Sequence, residues 1–288
     1  MPWPKIVCPN NEALLRKFSG RSVAVTVNNA AEAGVATENV RHSGNSCVCV
    51  IVRAHQPLDQ LQLRPEDARI PIALVVPTAG RFRNLARKID ELRKFNLRVY
   101  LPCDSPENIA SLRILSSLGI ETCAMFGGGV DWNALTDLMT YALLDYRMPH
   151  APMQPFEFIA STFDPCSSLH WDFLWFDDPT HFVHVDDQGR VALSDAELRE
   201  QCFVAQDLTA ISDPSELPAL KARRRLWTTH FVQADACSSC EGWSLCHGKF
   251  AETAAHATCS EFFAEVKVVA RQHKLLAKRP PQDGVWQL

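Results

Sequence analysis

The 288-residue sequence has no run of about 18 apolar residues, the length that a transmembrane helix requires. Its first residues, Met1 to Lys5, also lack the apolar segment that precedes a secretory cleavage site. These two absences predict a cytoplasmic protein that has no membrane partner.

Charge of one sign is not in large excess either. The chain carries 29 basic and 33 acidic side chains, which gives a formal net charge of -4. Proteins that coat nucleic acid are strongly basic, so we expect no nucleic-acid partner. Hydrophobic residues make up 47% of the chain and charged residues 22%, which is typical of a folded globular protein rather than a disordered one.

The first half of the sequence alternates between strand and helix patterns. Strands are predicted at 22–27, 47–52, 70–76, 97–101 and 120–126. Helices are predicted at 82–95, between Ser105 and Gly119, and after Asp131, which is placed to cap its helix. Strands separated by helices of this length predict parallel βα units of an α/β fold, in an open sheet or a barrel.

The second half has fewer regular patterns. Residues 181–193 alternate on either side of Asp186–Gly189, which predicts a β-hairpin. A helix is predicted to begin at 213–216 and to continue to Trp227. A final helix carries Phe262, Phe263 and Val266 on one face and must end before Pro280.

Eleven cysteines are present, and four of them lie within residues 237–259. Clustered cysteines in a reducing compartment indicate a metal site. Two cysteines separated by two residues can direct both sulfurs at one metal centre, and two more can complete the set. Four thiolates suit either a [4Fe–4S] cluster or a tetrahedral Zn²⁺ ion. The predicted ligands are Cys237, Cys240, Cys246 and Cys259.

No role is predicted for the other seven cysteines, which are Cys8, Cys47, Cys49, Cys103, Cys123, Cys166 and Cys202. Four histidines, His170, His181, His184 and His230, could form a second metal site, although single histidines beside aromatic residues are more often ordinary core or surface residues. Trp243 lies between the predicted ligands and is expected to shield them from solvent.

The spacing C-x₂-C-x₅-C, followed by His247-Gly248 and then Cys259, resembles the SPASM domain. This domain is the C-terminal extension of many radical SAM enzymes that modify peptides and proteins. The resemblance covers about residues 180–265 and implies that the four cysteines bind one auxiliary [4Fe–4S] cluster. Ser194 and Phe250 stand where the family has cysteine ligands of a second auxiliary cluster, so only one cluster is implied.

The chain contains no C-x₃-C-x₂-C motif, whose three thiolates hold the cluster that cleaves S-adenosylmethionine in this family. Phe126–Gly129 is only weakly similar to the family's GGE motif. The resemblance therefore implies a degenerate member that is not an autonomous radical SAM enzyme. Its implied fold is a partial (βα) barrel of radical-SAM type over residues 1–165, a connecting hairpin and helix over 166–234, and a small SPASM-like iron–sulfur domain with a C-terminal helix over 235–288.

The leading hypothesis is a partner subunit in ribosomal peptide or protein modification, which would bind an active peptide-modifying enzyme, a precursor peptide, or both. One alternative is an independent α/β enzyme with its site at the carboxyl ends of the strands, where Cys103, Asp104 and Asp131 are candidates. Another is a zinc-stabilised binding module. No catalytic residue is assigned.

Overall fold

The computed structural model describes residues 3–127, 129–145, 149–164, 169–211, 217–233, 235–248, 250 and 256–276. It has an α/β architecture built on a nine-stranded sheet. The strands are β1 (Lys5–Pro9), β2 (Ser22–Val27), β3 (Ser46–Arg53), β4 (Ile72–Val75), β5 (Leu97–Pro102), β6 (Glu121–Met125), β7 (Met153–Gln154), β8 (Phe182–Val185) and β9 (Val191–Ala192).

Eleven helices are described: α1 (Glu12–Lys17), α2 (Ala33–His42), α3 (Phe82–Leu92), α4 (Pro106–Ser117), α5 (Trp132–Leu144), α6 (Phe156–Thr162), α7 (Asp195–Arg199), α8 (Pro218–Gln233), α9 (Asp235–Ser238), α10 (Trp243–Cys246) and α11 (His256–Leu276). Among these helices, none has the length and apolar character needed to cross a bilayer.

The strands lie in the order β7-β6-β5-β4-β3-β2-β1-β8-β9. From β1 to β7, each strand therefore lies beside the next one along the chain. The pairs β1–β2, β2–β3, β3–β4, β6–β7 and β1–β8 are parallel, whereas β8 and β9 form the antiparallel hairpin expected from the sequence. The α/β fold with parallel βα units is thus confirmed.

Some element bounds differ from the expectation for local reasons. The strand expected at 70–76 begins at Ile72, since Pro71 has no N–H to donate to a neighbouring strand. The short strands β1 and β7 were not predicted. The helix start expected at 213–216 lies outside the described residues, and α8 begins at Pro218.

Contacts divide the described residues into two compact units. The first unit comprises residues up to 98 together with 172–223. The second comprises 99–171 together with residues from 224 onwards. The sequence analysis divided the chain at 165 and 234 by the expected fold type of each segment, not by contacts. That division stays a prediction.

Each unit has its own core. In the first unit, the central strands are buried on both faces, as the continuous apolar run of β3 predicts. In the second unit, α11 packs against α5 and α6. Its apolar face includes Phe263, Val266 and Ala270, all of them at most 1% exposed.

One loop contact in the first unit depends on a glycine. Gly80 follows β4 with φ +82°, and a Cβ atom there would lie 2.0 Å from Asp59 Oδ1. The buried Asp59 carboxylate accepts hydrogen bonds from the Arg81 backbone N–H and from Asn84 Nδ2. Asp59 therefore fastens the loop after β3 to the beginning of α3, and only glycine allows this approach.

We predict that Gly80→Ala lowers the free energy of unfolding by roughly 2–4 kcal/mol, since it combines left-handed strain with a steric clash. Gly20→Ala is the matched control. Gly20 has φ +83°, but no heavy atom of another part of the chain lies within 4 Å of the position that a Cβ atom would take. That variant should therefore lose only about 1 kcal/mol. Urea unfolding of both variants tests this, and equal losses would contradict it.

Candidate metal centre

The four predicted cysteine ligands lie on short elements of the second unit. Cys237 lies in α9, Cys240 follows it, and Cys246 ends α10. Cys259 lies in the first turn of α11. Because α9 and α10 have only four residues each, they cannot be stable as isolated helices. Tertiary contacts must hold them in place.

Two hydrogen bonds attach α10 to the chain near Trp171. The Trp171 indole N–H donates to the Leu245 carbonyl at 2.8 Å, and the Leu169 backbone N–H donates to the Ser244 carbonyl at 3.0 Å. Trp171 is only 1% exposed. Its hydrogen bond therefore forms in an apolar environment, where an unpaired donor is costly.

Gly242 brings the cysteine segment close to α11. A Cβ atom at Gly242 would lie 2.5 Å from the Phe263 Cβ, which is closer than two carbon atoms can approach. Any larger residue would force the two elements apart. Glycine at this position therefore places Cys240 and Cys246 beside the helix that carries Cys259.

An aromatic cluster packs beside the cysteine segment. Its members are Phe126, Trp132, Phe156, Trp171, Phe250, Phe262 and Phe263, and neighbouring rings have centroids 5.0–6.5 Å apart. Phe250 stacks on Phe263 at 5.7 Å with an interplanar angle of 16°. The cluster provides a dry, low-dielectric wall next to the thiols.

The four thiols lie within electrostatic range of one another. Burial, with smaller contributions from Cys259 and Cys240, raises the pKa of Cys246 to about 11. The pKa of Cys259 is raised first by burial and then by Cys240 and Cys237. Burial and Cys240 together raise the pKa of Cys237. Each of these three cysteines thus has another thiol of the motif nearby, and their role as metal ligands stays a prediction.

Backbone N–H groups point at two of the sulfurs. The Gly242 N–H donates to Cys240 Sγ at 3.3 Å. Hydrogen bonds from the Phe250 and Gly248 N–H groups to Cys246 lower its pKa, against the larger effect of burial. The chain turns back on Cys246 through two left-handed residues, His247 with φ 52° and Gly248 with φ 74°. Donors arranged in this way stabilise a thiolate more than a thiol.

No group of three or more described His, Cys, Asp or Glu side chains is arranged so that it could hold a metal ion. Cys240 Sγ instead donates to the Ser260 hydroxyl at 3.3 Å. The metal therefore stays a prediction from the motif, and the observed features are the proximity of the thiols, their burial and their N–H donors.

Two positions where the SPASM family has cysteine have other contacts here. Phe250 is 3% exposed and belongs to the aromatic cluster. In the first unit, the Ser194 hydroxyl accepts a hydrogen bond from the Glu197 N–H and caps α7, while the Glu197 side chain accepts from the Leu193 N–H. This arrangement differs from a capping box in one respect, because the Glu197 side chain accepts from the residue before the cap and not from Ser194.

The candidates for an independent enzyme have structural contacts. Burial raises the pKa of the Cys103 thiol, which opposes the thiolate that a nucleophile needs. Asp104 accepts a hydrogen bond from Asn108, and Asp131 caps α5 by accepting from the Asn133 and Ala134 N–H groups. Gly128, in the turn before Asp131, lies outside the described residues.

The histidines do not form a described metal site. His170 stacks on His247 with ring centroids 4.4 Å apart in the second unit. In the first unit, His181 bonds Asp178 and His184 Nε2 donates to the Phe176 carbonyl at 2.7 Å. The side chain of His230 lies outside the described residues.

The remaining cysteines are mostly core residues. Burial raises the pKa of Cys8 to about 12 and also raises that of Cys49. Cys123 is buried, Cys47 is half-buried, and Cys202 is exposed. Cys166 lies outside the described residues, and Trp243 is half-buried beside His247.

No family model, curated protein or solved structure matches this chain. The similarity to SPASM domains therefore depends on the cysteine motif itself.

His184 generates a pH prediction. Burial lowers its pKa below the ordinary value of 6.5, Arg53 lowers it further, and the Phe176 carbonyl, Asp177 and Asp195 oppose this change. The unfolded chain therefore binds this proton more readily, so stability should fall as the pH decreases below about 6.5. Each unit by which the pKa is lowered costs about 1.4 kcal/mol once the pH is below both pKa values.

Urea unfolding at pH 7.5 and pH 5.5 measures this loss of stability. The variant His184→Gln keeps a side-chain donor and should lose less stability than the wild type on acidification. His55→Gln, at an exposed loop position, should keep the wild-type dependence. An unchanged pH dependence in His184→Gln would show that other groups cause it.

Proposed function

We propose that this chain is a degenerate radical SAM/SPASM-like protein that binds one [4Fe–4S] cluster and acts as a partner subunit in peptide or protein modification. The observation that carries the proposal is the C-x₂-C-x₅-C motif followed by Cys259 in the sequence. Neighbouring thiols of the motif raise the pKa values of Cys237, Cys246 and Cys259 beside an aromatic cluster, and N–H groups donate to Cys240 and Cys246. Four such thiolates suit an iron–sulfur cluster.

The ligand set favours one cluster. Cys237, Cys240, Cys246 and Cys259 would each supply one thiolate, and a cluster so bound supplies an electron-transfer centre with no open iron. Phe250 packs in the apolar core and Ser194 caps a helix. Neither supplies the soft thiolate that a second cluster of the family would need.

The strand order of the α/β part supports an origin from a (βα) barrel. Strands β1 to β7 follow each other in sequential order, and a parallel (βα) barrel requires this order. Without C-x₃-C-x₂-C, the chain has no three-thiolate set for cleaving S-adenosylmethionine. A protein that keeps this fold but lacks the catalytic cluster is suited to be a subunit that supports an active enzyme.

Zinc is the alternative occupant of the four thiolates, and in that case the chain would be a zinc-stabilised binding module. Both metals accept S₄ ligation, and N–H donors to sulfur stabilise either complex. Metal analysis therefore distinguishes the two proposals.

We predict that protein reconstituted without oxygen holds about four irons per chain and absorbs near ~400 nm, as one [4Fe–4S] cluster requires. Cys246→Ala should lose this iron and absorption, because it removes one of the four thiolates. Cys202→Ala is the control, since that cysteine is exposed and outside the motif. With dithionite and S-adenosylmethionine, the wild type should form no 5′-deoxyadenosine.

Wild-type iron content in Cys246→Ala would refute the ligand assignment. About one zinc per chain without iron would favour the binding module. Steady formation of 5′-deoxyadenosine by the purified chain would show that it is an autonomous radical SAM enzyme.

The partner role is tested by co-expression with the proteins encoded by the neighbouring genes, among which the proposal requires a peptide-modifying enzyme. We expect the untagged enzyme to co-purify with this chain in a fixed ratio and to modify its peptide faster in the complex. Light scattering that shows only a monomer, with no change in the enzyme's rate, would contradict the role.

A further inference from the structure

Helix α3 (Phe82–Leu92) has a buried apolar face and an exposed basic one. Leu85, Ile89 and Leu92 are buried in the first unit. Its exposed side carries Arg83 and Arg87 one turn apart, followed by Asp90 and Glu91, and Arg81 is exposed just before the helix begins. The three arginines are called the basic face. Exposure of polar residues is ordinary for an amphipathic helix. Amphipathicity requires only polar residues on the exposed side, so it does not explain why three of them are arginines.

Positive charge is concentrated in two segments, residues 81–94 and residues 221–225, the second of which has four basic side chains. Residues 81–94 contain six basic and two acidic side chains, a local charge of +4 in a chain whose net charge is -4. The remainder of the chain therefore has a charge of -8. A generally basic composition cannot account for the basic face.

The position of the arginines does not stabilise the helix. The N-terminal end of a helix carries a partial positive charge, so acidic residues stabilise it and basic residues oppose it. The first turn of α3 contains no acidic residue and includes Arg83, with Arg81 at the capping position. Helix stability thus gives no reason for these residue types at these positions.

The arginines of the basic face also have no described partner. Elsewhere in the first unit, Arg16 pairs with Glu12 and Arg190 with Asp186. Within the part of the chain that the structure describes, the guanidinium groups of Arg81, Arg83 and Arg87 make no ion pair or hydrogen bond. Their guanidinium groups are therefore available to an anionic ligand.

We propose that the basic face of α3 binds an acidic peptide segment with carboxylates at alternate positions. This deepens the proposed partner role, because it names the chemistry of the bound protein or peptide. Arg83 and Arg87 are one turn apart, with Cβ atoms about 5–6 Å from each other. Alternate residues of an extended peptide are about 6.6 Å apart, so two carboxylates can each meet one guanidinium through paired hydrogen bonds.

The dimensions and the charge favour a peptide over nucleic acid. The 11 residues of α3 span about 16 Å, which matches about five residues of an extended peptide. The net charge of -4 gives the chain no general attraction for a nucleic-acid backbone.

Fluorescence anisotropy with a labelled ten-residue peptide, in which Glu alternates with Ser, tests the proposal. The wild type should bind this peptide and not its Gln counterpart, and binding should weaken with salt. The double variant Arg83→Glu/Arg87→Glu should bind about tenfold more weakly or worse, because it replaces attraction by repulsion. Both side chains are exposed, so its melting temperature should match that of the wild type.

The matched control is Lys221→Glu/Arg225→Glu on α8. It changes the net charge equally at the same spacing and also at exposed positions, so binding should stay within about twofold of the wild type. Equal weakening in both double variants would show a general charge effect and overturn the site. Binding of the Gln peptide, or of neither peptide, would also overturn it.

A single-stranded RNA competes in the same assay. Tighter binding of RNA than of the acidic peptide, lost in Arg83→Glu/Arg87→Glu, would replace the peptide proposal by a nucleic-acid site.

The iron content of the same protein is measured separately. Loss of the iron–sulfur assignment would leave peptide binding intact, and loss of peptide binding would leave the iron result intact.

Discussion

The close approach of Gly242 to Phe263 determines where the cysteine segment lies. The segment consists of two single-turn helices and their connections, and such elements have too few internal hydrogen bonds to hold a geometry. Their positions come from α11, from the aromatic cluster and from the bond between Trp171 and Leu245. The candidate metal centre is therefore a product of the core of the second unit, and a change in that core would displace the thiols.

Local patterns predicted the regular part of the fold well. The apolar run of β3, the alternation in β2, the helix that begins after Ser105 and the cap at Asp131 each follow from interactions within a few residues, and all four are present. The sequence could not predict β7, because two residues carry no periodicity, and their pairing with β6 depends on contacts distant in the chain. The division into two discontinuous units has the same origin, since it depends on which distant segments pack together.

The candidate site could also be predicted only in part from the sequence. The cysteine spacing singled out Cys237, Cys240, Cys246 and Cys259, and their role as metal ligands stays a prediction. The contacts that surround the thiols could not be predicted from the sequence. Nothing local to Trp171 indicates that its indole donates to a carbonyl 74 residues later, and Phe250 gives no sign in the sequence that it stacks on Phe263. Such contacts are specified by the packed core and not by a motif.

Two effects with opposite signs act on the pKa of the Cys246 thiol. Burial and neighbouring thiols favour the protonated form of Cys246, whereas the Phe250 and Gly248 N–H groups favour the thiolate. In a chain without a bound cation, burial is the larger effect and the sulfurs keep their protons. A metal centre would reverse this balance, because its positive charge offsets the mutual repulsion of four thiolates. The N–H donors would then stabilise the charged sulfurs, and the aromatic cluster would strengthen these interactions by excluding water. The local geometry is thus suited to thiolates, although the protein environment alone does not produce them.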